Sequence, residues 1–129
     1  MAIFPSVKGN NLEGKTFRIP ADLAGEYNLV LMPFEQYQQY EVDTWLPLAQ
    51  ALQSKYADVR YYELPTLPPY AFWQRMMIDG GMRMGIPNRA TREITITLYL
   101  DLPPFLQALN IPDPSKTQIM LVRRDGEVL

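Results

Sequence analysis

Residues 28–56 read NLVLMPFEQYQQYEVDTWLPLAQALQSKY. Leu29, Val30, Leu31 and Met32 form an unbroken apolar run, which suits a strand covered on both faces of an α/β sheet. Pro33 ends it, because proline cannot donate to the strand ladder. Phe34 to Glu41 reads as a polar and aromatic loop. A helix is expected from about Val42, with Trp45, Leu48, Ala49, Leu52 and Tyr56 on one face. Pro47 lies inside that pattern, where it removes a hydrogen bond and kinks the helix at a cost of about 3 kcal/mol unless packing compensates.

Working outward, the 129 residues are 47% hydrophobic and 20% charged with a net charge of −2, which fits one globular domain with a sizeable core. A near-neutral chain is a poor match for phosphate-driven nucleic-acid binding. There is no apolar run long enough for a transmembrane helix. The opening MAIFPSVKGNN has no apolar core of a signal peptide, so a cytoplasmic location without membrane insertion is expected. The chain has no cysteine and no histidine. Ser-His-Asp and Cys-His nucleophile sets are therefore excluded, and zinc lacks its usual ligands. Glu35, Glu41 and Asp43 cluster in the loop after the first core strand; they read as solvated acids, and neither acid–base work nor hard-metal binding is backed by their spacing. No cofactor is expected.

Leu12-Glu13-Gly14-Lys15 is a turn, followed by a short edge strand Thr16–Ile19 that Pro20 ends. Asp58–Leu64 is the second core strand, and Pro65, Pro68 and Pro69 stiffen the connection after it. Tyr70–Met77 is a helix that Gly80-Gly81 stops. Four of the seven methionines fall between Met76 and Met84. Thioethers suit Cu(I), but methionines and aromatics at helical spacing are read as core or interface filler. Met82–Arg92 is a loop in which Arg83, Arg89 and Arg92 could gather around a carboxylate or phosphate, or pair as surface charges with Glu63, Asp79 or Glu93. Glu93–Asp101 alternates like a strand, Pro104 opens a short helix, and Thr117–Leu129 is a hairpin turning at Asp125-Gly126.

The helix with Pro47 and Tyr56 resembles the first helix of the thioredoxin and redoxin superfamily, in which a proline and a later tyrosine follow a Cys-x-x-Cys motif. The cysteine positions then fall on Gln39 and Val42. A peroxiredoxin-style alignment would instead use Pro33, put Tyr37 in place of the family's threonine and Tyr40 in place of its cysteine. Under either alignment the nucleophile is absent. Gly9, Leu12, Gly14 and Lys15, then Leu23, Gly25 and Leu29 to Leu31, resemble the redoxin entry segment, and the final hairpin resembles its closing one. The family's cis-proline falls near Thr117: either Pro114 marks an inserted loop or that proline is absent. The Met-Arg-x-Gly-Ile-Pro loop also has a faint similarity to the mitochondrial ATP-synthase assembly chaperones.

The resemblance implies an α/β, thioredoxin-like three-layer fold over residues 1–129, with a central mixed sheet flanked by helices. The strands Leu29–Met32 and Asp58–Leu64 should be parallel neighbours, with Ile94–Leu100 in the same sheet and the closing hairpin antiparallel to them. It implies a non-catalytic binding or assembly module that has lost its redox cysteines, without thiol-dependent activity. The alternative is a cysteine-free enzyme, or a binder of small anions at the Arg83/Arg89/Arg92 loop. Family members continue into a last helix that this chain lacks within 1–129, so self-association or a further C-terminal segment is expected. Binding is assigned to Tyr37, Tyr40, Trp45, Arg83, Arg89 and Arg92, facing a protein partner or peptide with an acidic and an apolar group.

Overall fold

The apolar run 29–32 lies at the centre of the chain's architecture. In a computed structural model describing residues 2–129 it belongs to strand β3 (Tyr27–Met32), five of whose six residues are buried. β3 pairs in parallel with β4 (Val59–Glu63) and antiparallel with β7 (Gln118–Arg123). The entry hairpin is β1 (Val7–Asn11) and β2 (Thr16–Ile19), and β1 also pairs with β6 (Ile96–Tyr99). β6 runs parallel to the short β5 (Thr66–Leu67).

These strands form a four-stranded sheet, β2-β1-β6-β5, and a three-stranded one, β4-β3-β7. The two are continuous along β4 and β5, which are one course of chain interrupted at Leu64-Pro65. Glu63 bridges to Thr95. The Leu98 N–H donates to Pro65 O, and the Thr66 N–H donates to Pro33 O. The expected parallel pairing and the expected antiparallel hairpin are both present.

The face of β3 carrying Val30 and Met32 meets Phe17, Tyr62, Leu64, Ile96 and Leu98, and the helix α4 (Leu102–Ala108) adds Phe105 to this core. The other face, with Leu29 and Leu31, is covered by α1 (Gln39–Lys55). Gly9 is where β1 runs tight against β6: an added Cβ would lie 2.7 Å from Leu98 Cδ2 and 2.8 Å from Thr97 O. Gly14 turns the entry hairpin at φ +83°, which favours a residue without Cβ.

All four α-helices differ from expectation. α1 begins at Gln39, preceded by a 3₁₀ turn at Gln36–Gln38, and continues through Pro47. Its covered side is Val42, Leu46, Ala49 and Leu52, while Trp45 and Leu48 are 39% and 48% exposed. The Gln53 side chain, which accepts from the Tyr61 N–H, completes the 42-46-49-53 row that faces the sheet. The second helix, α2 (Phe72–Gly85), passes through Gly80-Gly81, which weaken a helix without forbidding it.

None of its residues is buried, so its methionines and aromatics are not core. The expected loop and strand start at 89–94 are a helix, α3 (Arg89–Ile94), whose first turn is capped by Asn88 Oδ1 accepting from the Thr91 N–H. α4 starts at Leu102 rather than Pro104, since prolines are tolerated in a first turn. The one cis peptide bond among the described residues is Ile19-Pro20, so the family's cis-proline near Thr117 is absent.

Candidate ligand cleft

At the end of β3 the chain must turn from a buried strand into α1. Gln38 organises that turn. Its side chain is fully buried; Oε1 accepts from the Phe34 N–H at 2.6 Å, and Nε2 donates to Pro114 O at 2.9 Å. A buried amide that is satisfied on both sides fixes two loops 76 residues apart. Glu41 Oε2 adds a second tie by accepting from the Thr117 N–H at 3.2 Å. Sequence reading missed Gln38 because it stands beside Gln36 and Gln39 in an apparently polar loop.

The tied loops enclose a cleft of about 310 Å³ lined by Phe34, Glu35, Tyr37, Leu67, Pro68, Tyr70, Leu102, Pro114 and Ser115. The Tyr37 hydroxyl donates to Ser115 O at 3.4 Å, yet its ring is 60% exposed. The lining is aromatic, aliphatic and proline-rich, with Glu35 as its ionisable carboxylate. Just behind it, Gln39 opens α1 on the exposed side, with its Nε2 donating to Asp43 Oδ1, and Val42 is buried beneath the helix. The two positions expected to match the family's cysteines under the first alignment are thus an exposed amide at the helix start and a buried aliphatic side chain three residues on.

Of the six residues assigned to binding, Tyr37 lines this cleft. Tyr40 and Trp45 stand exposed on α1 at 66% and 39%. The three arginines lie elsewhere, because α2 runs back from the cleft to the opposite, N-terminal end of β6. There they converge on Glu13 in the entry hairpin. Arg92 Nε donates to Glu13 Oε1 at 2.7 Å, Arg83 Nη2 reaches Oε2 at 3.5 Å, and Arg92 Nη1 also donates to Ile86 O and Pro87 O. Arg89 pairs with Glu93 at 3.0 Å.

The hydrogen bond from Arg92, with the charges of Arg92, Arg83 and Arg89, holds the Glu13 carboxyl below its ordinary range. Asn11 presents that carboxylate by accepting from the N–H groups of Glu13 and Lys15 while its Nδ2 donates to Glu93 O. The anion gathered by the arginine loop is thus part of the chain itself. The pairing with Glu93 was anticipated; Glu13, 79 residues from Arg92, was not.

A second cleft, of about 490 Å³, separates α2 from β1 and β6. Across it the Tyr99 hydroxyl donates to Asp79 Oδ1 at 2.6 Å and Arg75 lies 5.0 Å over the Tyr99 ring. Burial and the Asp79 carboxylate push the Tyr99 phenol well above its usual range. Among the described residues no group of acids is arranged to hold a metal ion, and no helix is long and apolar enough to cross a membrane.

No family model and no curated protein sequence matches this chain. Solved structures do. The thioredoxin domain of a thiol-disulfide oxidoreductase from Bacteroides vulgatus is similar at TM-score 0.62 and 17% identity, over 99% of this chain and 84% of that one. BsSco, of the Sco family of cytochrome c oxidase assembly proteins, is similar at TM-score 0.61 and 17% identity, over 99% and 81%. The exposed lipoprotein thioredoxin Etrx1 of Streptococcus pneumoniae is similar at TM-score 0.58 and 12% identity, over 97% and 86%. The suggested likeness to ATP-synthase assembly chaperones finds no support in these comparisons. The sheet order, the helix covering β3 and these likenesses together show a thioredoxin-like fold in a chain without cysteine.

Proposed function

We propose that this chain is a non-catalytic thioredoxin-like binding module whose docking site is the cleft between Tyr37, Tyr70 and Pro114. The observation that carries this reading is Gln38. A fully buried side chain holds the cleft open in a defined shape while the adjacent positions Gln39 and Val42 supply no nucleophile. A shaped apolar cleft with few polar groups is the usual form of a binding site. Aromatic rings at its rim offer contact area at little entropic cost.

The lining defines the ligand class. Phe34, Leu67, Leu102 and the two tyrosines suit an apolar side chain, and Pro68 and Pro114 keep the walls stiff. Glu35 favours a basic group beside it, and none of Arg83, Arg89 and Arg92 lines the cleft. The expected acidic character of the ligand therefore gives way to an apolar peptide segment with a neutral or basic flank.

Selection from a random peptide display library tests this. Enriched peptides should be apolar, and Tyr37→Ala with Tyr70→Ala should weaken them about tenfold or more, as loss of aromatic hot-spot residues does. Peptides that bind the folded double variant equally well, or a failure to enrich any, would remove the cleft as a docking site.

A further inference from the structure

α2 is the least covered element of the fold. Its inner side holds Arg75 and Asp79 against Tyr99, with Ile78 and Met82 half-buried. Its outer side carries Trp73, Met77 and Met84, which are 63%, 69% and 87% exposed, and Phe72 and Met76, 77% and 60% exposed, flank that row where the helix turns toward the second cleft. Gly80 and Gly81 lie on the same side, and a Cβ added at either would meet nothing within 4 Å. Glycine inside a helix is destabilising relative to alanine, and nothing within the chain calls for it at these positions. The row Trp73, Met77, Gly80 and Met84 carries no charge; Arg83, on the flank with Phe72 and Met76, reaches Glu13 at 3.5 Å.

We propose that this face is a homodimer interface on which a second copy of the chain docks, α2 against α2, antiparallel about a two-fold axis at the helix midpoint. Three observations select this occupant. The five side chains expose on the order of 700 Å². That is above the roughly 300–600 Å² of the largest apolar patch on ordinary monomers, and close to the about 800 Å² per partner of a stable interface.

Trp73, Met77, Gly80 and Met84 are spaced as i, i+4, i+7 and i+11, the seam along which two helices interlock. The stripe is also complementary to itself: Met76 and Met77 are bulky, and Gly80 and Gly81 across the midpoint leave open space. An antiparallel pairing about the midpoint of Phe72–Gly85 puts Met77 of one copy on Gly80 of the other, Met76 on Gly81, and Trp73 on Met84. Each contact occurs twice, as an isologous interface requires, and the last is a favourable sulfur–aromatic pair.

Sedimentation velocity across a concentration series, with a disulfide-trapping arm, tests the interface. The wild-type chain should pass reversibly from 14.9 kDa to twice that mass. Met77→Glu should weaken association about a hundredfold or more, since it buries an unpaired charge. Its circular dichroism should be unchanged, because Met77 is exposed within the chain. A mixture of Met77→Cys and Gly80→Cys chains should oxidise mainly to the mixed disulfide, and the native sequence contributes no competing thiol. A wild-type chain that stays monomeric at every concentration would overturn the proposal, as would a dimer indifferent to Met77→Glu. Monomer that instead co-sediments with phosphatidylglycerol vesicles would assign the face to lipid and overturn it equally.

Discussion

Glu63 ends β4 opposite Leu31 and is only 4% exposed. Alternation along β4 puts its side chain on the same face as Tyr61, under α1. Burial, and after it the nearby Asp43 carboxylate, push its pKa up to about 7 from 4.5. A carboxyl with a raised folded-state pKa favours the folded state fully below the unfolded value, and this contribution is lost as pH rises through the folded one. Between pH 4.5 and 7 the native state therefore holds a proton that the unfolded state has released.

The shift of 7 minus 4.5 corresponds to about 3 kcal/mol at most of destabilisation above pH 7. Glu63→Gln keeps the size of the side chain and removes the charge. The variant should match the wild type at the acid end and exceed it by up to about 3 kcal/mol above neutrality. Urea unfolding of both chains at a series of pH values measures this, and the difference between them cancels the other carboxyls. Asp43→Asn should move the wild-type curve the same way by a smaller amount. A difference that does not vary with pH, or a glutamine variant weaker at alkaline pH, would refute the reasoning.

Gln38→Leu should lower stability by about 2–4 kcal/mol in urea titration, because the Phe34 N–H and Pro114 carbonyl lose their partner inside the fold. Glu13 has a lowered folded-state pKa, so its contribution is present above the unfolded value and lost as pH falls through the folded one. Acid below pH 4.5, high salt and Glu13→Gln should each raise amide exchange across residues 83–92 relative to the core strands. Gly9→Ala should cost about 1–3 kcal/mol in thermal melts, since its methyl would press on Leu98 and the Thr97 carbonyl. With no thiol in the chain, insulin reduction and peroxide consumption should stay at background; sustained turnover by pure protein would contradict this.

The sheet was legible because its strands carry local signals. Leu29–Met32 is continuously apolar, Thr16–Ile19 alternates before a proline, and Asp125-Gly126 marks the last turn. The cleft was legible in part, through Tyr37. What stayed hidden depends on partners distant in sequence. The covered side of α1 is chosen by the sheet beneath it, and Trp45 is as apolar as Leu46, so periodicity alone rotated the helix by one residue. Gln38 and Glu13 look like surface residues until the loops at Pro114 and Arg92 fold over them. Gly80-Gly81 read as a stop because glycine often ends helices, but here neither takes a positive φ and the turns on both sides continue.

The position of β7 bears on how this chain is made. β3 gains one neighbour from β4 soon after it is synthesised, but its other edge pairs Tyr27 with Arg123 and Met32 with Gln118. On the ribosome, this apolar strand therefore waits with one row of backbone donors and acceptors open until residues 118–123 have emerged. An open apolar edge is a template for pairing with other chains, and such long-range closure is slow. The interval before β7 docks is when a nascent chain is most exposed to aggregation and to chaperone capture, and a ribosome stalled before residue 118 would hold it there.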